Sequence, residues 1–122
     1  MMNRDEALVL LKQNVTDEHH INHSLAVEAI MRGLAERLQE DEEKYGMAGL
    51  MHDIDYDVTF DRPEQHALLG AQILEQHGFP EDIIYAVKAH NEIHGLERKS
   101  RLDQALYAAD PTSGFVTAAA MV

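Results

Sequence analysis

Ala48-Gly49-Leu50-Met51-His52-Asp53-Ile54-Asp55 is the stretch on which the reading of this 122-residue chain turns. It starts small and apolar, sets an imidazole beside a carboxylate, and then turns acidic. Gly46, Ala48 and Gly49 give the predicted helix a thin face that another helix can approach closely. Each glycine costs that helix roughly 1 kcal/mol relative to alanine, and close packing around a site is a sufficient reason. Adjacent helical residues point about 100° apart. His52 and Asp53 therefore share a site only near the helix end, or if the carboxylate bridges two ions. One such pair is a weak signal. It gains force from His23 upstream and from His66, His90 and Asp110 downstream. Neutral imidazole and ionised carboxylate suit first-row divalent metals.

Outward from that stretch, every segment reads as helix. Residues 4 to 13 carry Ala7, Leu8, Leu10 and Leu11 among charges. Asp17 or Thr16 can cap a second helix running to about Gln39, with Ile21, Leu25, Ala29, Leu34 and Leu38 as its apolar stripe and His23 beside it. The charge-dense residues 36 to 44 are a solvated helix end and turn. The third helix spans about Asp41 to Ile54, and Asp55 to Arg62 is a loop. Proline at the first position places a fourth helix at Asp61-Arg62-Pro63, with His66, Gly70 and Ile73 on one face and Gly78 as its cap. Pro80-Glu81-Asp82 opens a fifth, with Ile83, Ala86, Val87 and His90 inward. Ser100 can cap a sixth carrying Leu102, Leu106 and Asp110, which Pro111 breaks or kinks. No strand alternation, repeat or linker is evident. The expectation is an all-α single domain over 1–122, a bundle of five to seven helices.

Composition sets the outer bounds. The chain is 45% hydrophobic and 26% charged, which is globular. Cysteine is absent, so neither disulfides nor thiolate ligands are available. The start, Met1-Met2-Asn3-Arg4-Asp5-Glu6, is too polar for a secretory signal, and no apolar run approaches the ~20 residues of a membrane span. A cytoplasmic location follows as the expectation. The formal net charge of -12 opposes binding to a nucleic-acid backbone or an anionic membrane. A phosphate substrate is repelled at long range too, unless a metal or a local basic group reverses the sign.

The set His23, His52-Asp53 and Asp110 resembles the HD superfamily of metal-dependent phosphohydrolases, whose pattern is a His, a later His-Asp pair and a distant Asp. The resemblance runs from about His19 to Asp110. It implies an HD-type bundle in which His23, His52, Asp53 and Asp110 hold one metal. His66 and His90 resemble the subset that holds a second ion, with Asp53 bridging. It further implies a metal-bound hydroxide as nucleophile and a nucleotide or other small phosphate ester as substrate. Asp53 is then catalytic, and Glu92, Asp55 and Asp57 are acid/base or supporting candidates. The imidazole count favours Mn, Fe, Co or Ni over Mg. Members of the family often continue past Val122, so the apolar run 115–122 implies a further C-terminal segment or a second subunit as its partner; a homo-oligomer is open.

Departures narrow the reading. After His52-Asp53-Ile54 comes Asp55-Tyr56, where many members carry Gly-Lys, which removes a phosphate-binding lysine. After His90 comes Asn91-Glu92, where the cyclic-dinucleotide branch carries a second His, and that branch's Gly-Tyr-Pro is missing. Cyclic dinucleotides are therefore disfavoured. Two other classes stay open: a diiron oxygen-activating enzyme of the same superfamily, and a regulatory module without turnover. Each residue also has a bland alternative. Asp110 could pair with Arg98, Lys99 or Arg101. His52 and Asp53 could simply hydrogen-bond. His19, His20, His77 and His94 read as core or exposed histidines.

Overall fold

The first three helices each start where a side chain takes over free amides of the first turn. Asn3 accepts from the Glu6 amide while the Glu6 side chain accepts from the Asn3 amide, closing a capping box on α1 (Arg4–Asn14). Asp17 accepts from the His19 amide and opens α2 (Glu18–Leu38). Asp41 accepts from the Lys44 amide and opens α3 (Glu42–Met51). A turn leads into the short α4 (Tyr56–Thr59), followed by α5 (Leu68–Gln76), α6 (Glu81–Ala89), a 3₁₀ turn over Glu92–His94, and α7 (Arg101–Ala120). The computed structural model describes residues 1–120, with side chains described as far as Ser113. There is no strand among the described residues, so the all-α bundle expected from composition holds.

α2 is the spine. It packs most heavily against α3 and also against α7, while α6 packs on α5, α7 and α3. Leu11, Val27, Met31, Leu50, Ile54, Leu74, Ile83 and Leu106 meet in one core. The approach of α2 to α3 is set by Gly49. A Cβ there would stand 2.9 Å from the Val27 carbonyl oxygen and 3.0 Å from the Glu28 Cα.

That approach rotates the inward face of α2 relative to the stripe expected, of which Ile21, Leu25 and Leu34 still pack, half-buried, against the core. Its buried residues are Ser24, Val27, Glu28, Met31 and Ala35, whereas Ala29 and Leu38 are exposed. Glu28 tolerates burial because Arg4 grips both its oxygens, at 2.8 and 3.0 Å, and Arg32 adds a third bond at 3.1 Å.

Three other boundaries differ from expectation. α3 ends at Met51, so His52 and Asp53 lie at its end. The predicted helix start at Pro63 is not used: residues 60–67 form turns and α5 begins at Leu68. The reason is Asp55, whose Oδ2 accepts from the Ala67 amide at 2.7 Å and the Gly70 amide at 2.9 Å. A remote carboxylate thus caps α5, with Ala67 held at φ 75 before it. Pro111 neither breaks nor ends α7. Beside it the Thr112 hydroxyl donates to the Ala108 carbonyl and the Ser113 hydroxyl to that of Asp110, each at 2.8 Å. The side chains of 114–122, and with them the partner expected for the terminal apolar run, lie outside what the structure describes.

Candidate metal centre

Four histidines face one another across the bundle, and each is oriented by a bond from its Nδ1. His52 and His90 sit just past the ends of α3 and α6 and use the same device. Their Nδ1 atoms donate to carbonyls three residues back, Gly49 (2.7 Å) and Val87, which the helix end leaves free. His66, on the turn before α5, donates from Nδ1 to Asp55 Oδ1 at 2.7 Å. His23, on α2, lies 2.7 Å from the Ser113 hydroxyl; that hydroxyl gives its own proton to the Asp110 carbonyl, so His23 Nδ1 is the donor. Every ring therefore has its Nδ1 engaged and its Nε2 turned to the centre. Such outer partners fix ligand tautomers in metal sites.

The Nε2 atoms fall into two groups that share Asp53. In the first, His23 and His52 stand 3.0 and 3.2 Å from Asp110 Oδ1, and 3.4 and 3.3 Å from Asp53 Oδ2. In the second, His66 and His90 stand 3.0 and 3.5 Å from Asp53 Oδ1. Two donors each roughly 2.1 Å from one ion lie about 3.0 Å apart at a right angle and about 3.4 Å apart at the tetrahedral angle. The observed spacings match that range, so the side chains fit divalent cations. Nitrogen and oxygen donors without thiolate suit first-row metals; the ion's identity is open.

The ordinary protonation states are displaced here. Burial opposes charge on His52, yet Asp53 and Asp110 outweigh it and hold the imidazole well above its usual range. His23 is raised by its bonds to Asp110 and Asp53. His66 is pushed up to about 9: burial works against this, and Asp53 and Asp55 overcome it. Burial likewise raises Asp53 and Asp110, but the imidazoles pull both below the usual carboxylate range. A metal must displace the Nε2 protons, so binding should release protons and strengthen with pH. For His66 the folded pKa lies above the unfolded value. Its ion-pair stabilisation of the metal-free protein is thus complete below about 6.5 and lost through about 9. Over that interval metal affinity should climb, by about tenfold per pH unit for each proton displaced. Titration calorimetry in buffers of different ionisation enthalpy reads the protons directly. A pH-independent affinity with none released would contradict the arrangement.

All six expected ligands converge: His23, His52, Asp53, His66, His90 and Asp110. The acid/base candidates separate. Asp55 is buried with both oxygens engaged by His66, Ala67 and Gly70. Asp57 accepts from the Thr16 amide and hydroxyl, each at 2.9 Å, and ties α4 to the α1–α2 turn. Glu92 lines a cleft of about 570 Å³ together with His66, His90 and Asp110, and accepts from the Tyr107 hydroxyl. Two residues missed in the sequence belong to the surroundings. His94 Nε2 donates to the His66 carbonyl at 2.6 Å, where the Asn91 amide also donates at 3.0 Å. His20 reaches Asp53 itself, 2.7 Å from its Oδ2. A signal for it was available, since His20 precedes His23 by nearly one helical turn.

Among the described residues no helix is long and apolar enough to cross a membrane. The HD domain family matches residues 20–114. Curated relatives include Ribonuclease Y of Oleidesulfovibrio alaskensis, 37% identical over 94 residues, and that of Desulfotalea psychrophila, 35% identical over 94 residues. Ribonuclease Y of Mycoplasma mycoides subsp. mycoides is 32% identical over 91 residues. The aligned parts are 75–77% of this chain and only 18% of each relative. These names correct the expectation of a small nucleotide substrate and of no nucleic-acid backbone, because ribonucleases act on RNA. Net charge sums the whole surface and does not describe the cleft, where the imidazoles of His23, His52, His66 and His90 stand against the carboxylates of Asp53 and Asp110. With its ordered His, His-Asp and Asp ligands brought together on an all-α bundle, the chain belongs to the HD-domain family.

Proposed function

We propose that this chain is a metal-dependent phosphodiesterase that hydrolyses RNA with two divalent ions bridged by Asp53. One observation carries the reading. The two oxygens of Asp53 face different donor groups, His23, His52 and Asp110 on one side and His66 and His90 on the other. Ions of this kind supply Lewis acidity toward phosphate oxygens and toward the attacking water. The cleft beside these residues, about 570 Å³, is lined by His66, His90 and Asp110 together with Glu92 and Tyr107. The location proposed with this reading is the cytoplasm, and residues 1–122 are proposed to act as one domain.

The protein's own groups divide the remaining work. The ligand histidines keep Nε2 unprotonated once metal is bound, because each Nδ1 proton is held elsewhere. Asp55 holds His66 in place and caps α5, so it is a positioning residue rather than an acid or base. Glu92, exposed at the cleft wall beside His66, His90 and Asp110 and accepting from the Tyr107 hydroxyl, is the acid/base candidate that remains at the cleft.

The test is cleavage of a defined single-stranded RNA by the purified chain, stripped with chelator and reloaded with Mn, Fe, Co or Ni. Cleavage should appear with metal and vanish with excess chelator. His66→Ala and His90→Ala should each lower the metal content from two ions toward one, while His23→Ala weakens the other position. Metal-loaded protein that leaves every RNA intact would sink the reaction. Full metal content in both the His66 and His90 variants would reduce the site to a single ion.

A further inference from the structure

Asp53 meets a third imidazole on its Oδ2 side that belongs to neither donor group. His20 places Nε2 2.7 Å from Asp53 Oδ2. An ionised carboxylate can only accept, so this nitrogen is the donor and carries a proton. In that state it has no lone pair to offer an ion. The ring is seated by Tyr56, with centroids 3.6 Å apart and planes 13° from parallel. Tyr56 opens α4, and its amide donates to the Asp53 carbonyl at 2.9 Å. One turn therefore carries both the carboxylate and the surface that fixes the ring bonded to it.

The need for such a bond follows from the carboxylate. Its terminal torsion is broad, so nothing intrinsic keeps one oxygen toward each donor group. His23 and His52 approach Oδ2 only through Nε2, the atoms an ion would take. His66 and His90 stand in the same relation to Oδ1. His20 alone among these rings can keep its bond to Asp53 after metal enters. Its side chain is 19% exposed, and the stack on Tyr56 and the bond to Asp53 fix it from two sides.

We propose that His20 is a positioning residue that locks the Asp53 carboxylate in its two-sided orientation, so that both donor groups are formed before metal arrives. The proposal rests on the two-ion reading of the centre and not on RNA as the substrate. His20→Phe keeps a ring over Tyr56 and removes the donor; His20→Gln returns an N–H at similar reach. Mn titration of the full chain by calorimetry, with thermal melts of the metal-free protein, reads both. His20→Phe should bind Mn about 10- to 100-fold more weakly, the usual loss when a partner behind a ligand is removed, and should melt lower without metal because buried Asp53 loses a donor. His20→Gln should recover most of it. His20→Phe binding two ions within twofold of the parent overturns the role, as does a glutamine variant no better than phenylalanine. A parent that binds one ion overturns the two-ion reading and the proposal with it. RNA left intact while the titration pattern holds overturns only the proposed reaction.

Discussion

Asp53→Asn protein should show no metal-dependent hydrolysis and bind at most one ion weakly. The substitution keeps the shape and deletes the charge that the two donor groups share. It should also lower the stability of the metal-free chain. Asp53 has its pKa drawn well below the ordinary range by the imidazoles around it, despite burial. Such a carboxylate stabilises the fold above its unfolded pKa, and that stabilisation is lost as pH falls through the folded one. At neutral pH the parent has all of it and the variant none. Removing one partner of a buried pair costs about 3–5 kcal/mol, since the other partners stay buried without their counter-charge. The melting difference between parent and variant should therefore shrink as pH falls far enough to protonate the parent's carboxylate. Elemental analysis, thermal melts across pH and turnover together make the check. Turnover at the parent's level with two ions retained would refute the bridging role.

Gly49→Val should be the most damaging substitution outside the ligand set. Even a Cβ at this position meets the Val27 carbonyl at 2.9 Å and the Glu28 nitrogen at 3.0 Å, both backbone. Backbone cannot rotate away as the end of a side chain can, so α2 and α3 must part. Overpacking of this kind costs about 1–3 kcal/mol. The melting temperature should drop by roughly 4 °C for each of those kcal/mol at this chain length. The damage also reaches the metal centre, because α2 carries His23 and α3 ends at His52. Gly49 lends its own carbonyl to orient His52, so a shift there tilts the ring as well. Gly49→Val is expected to lose both heat stability and Mn affinity, whereas Gly33→Ala, which meets nothing within 4 Å, should lose neither. Equal melting temperatures for Gly49→Val and the parent would contradict the close approach.

What could be read in the sequence was the ligand order and the helical character. The candidate ligands are imidazoles and carboxylates set in order among apolar, small-residue segments, and that is a one-dimensional property. The thin face of Gly46, Ala48 and Gly49 is of the same sort. What could not be read depends on partners distant in the chain. The centre of the inward face of α2 is decided by how close α3 comes, so Ser24 and Glu28 are buried there while Leu25 packs half-buried at its edge and Ala29 is exposed. The start of α5 is decided by Asp55, twelve residues before Ala67, and not by the local proline. His20 looked like a solvated histidine at a helix start because its partners, Asp53 and Tyr56, lie on α3's end and α4. The charge argument failed differently: -12 is a sum, and a sum does not say where the sign changes.

The ligands come from separate segments, and His23 and Asp110 are separated by most of the chain. An unfolded chain does not hold them together, so an ion that uses the whole set would favour the native state. By mass action, each tenfold rise in free ion above the dissociation constant then adds about 1.4 kcal/mol to folding stability. Contacts this distant in sequence are also the slow ones to form. On the proposed two-ion reading, ion supply would thus govern how much of this cysteine-free protein survives proteolysis.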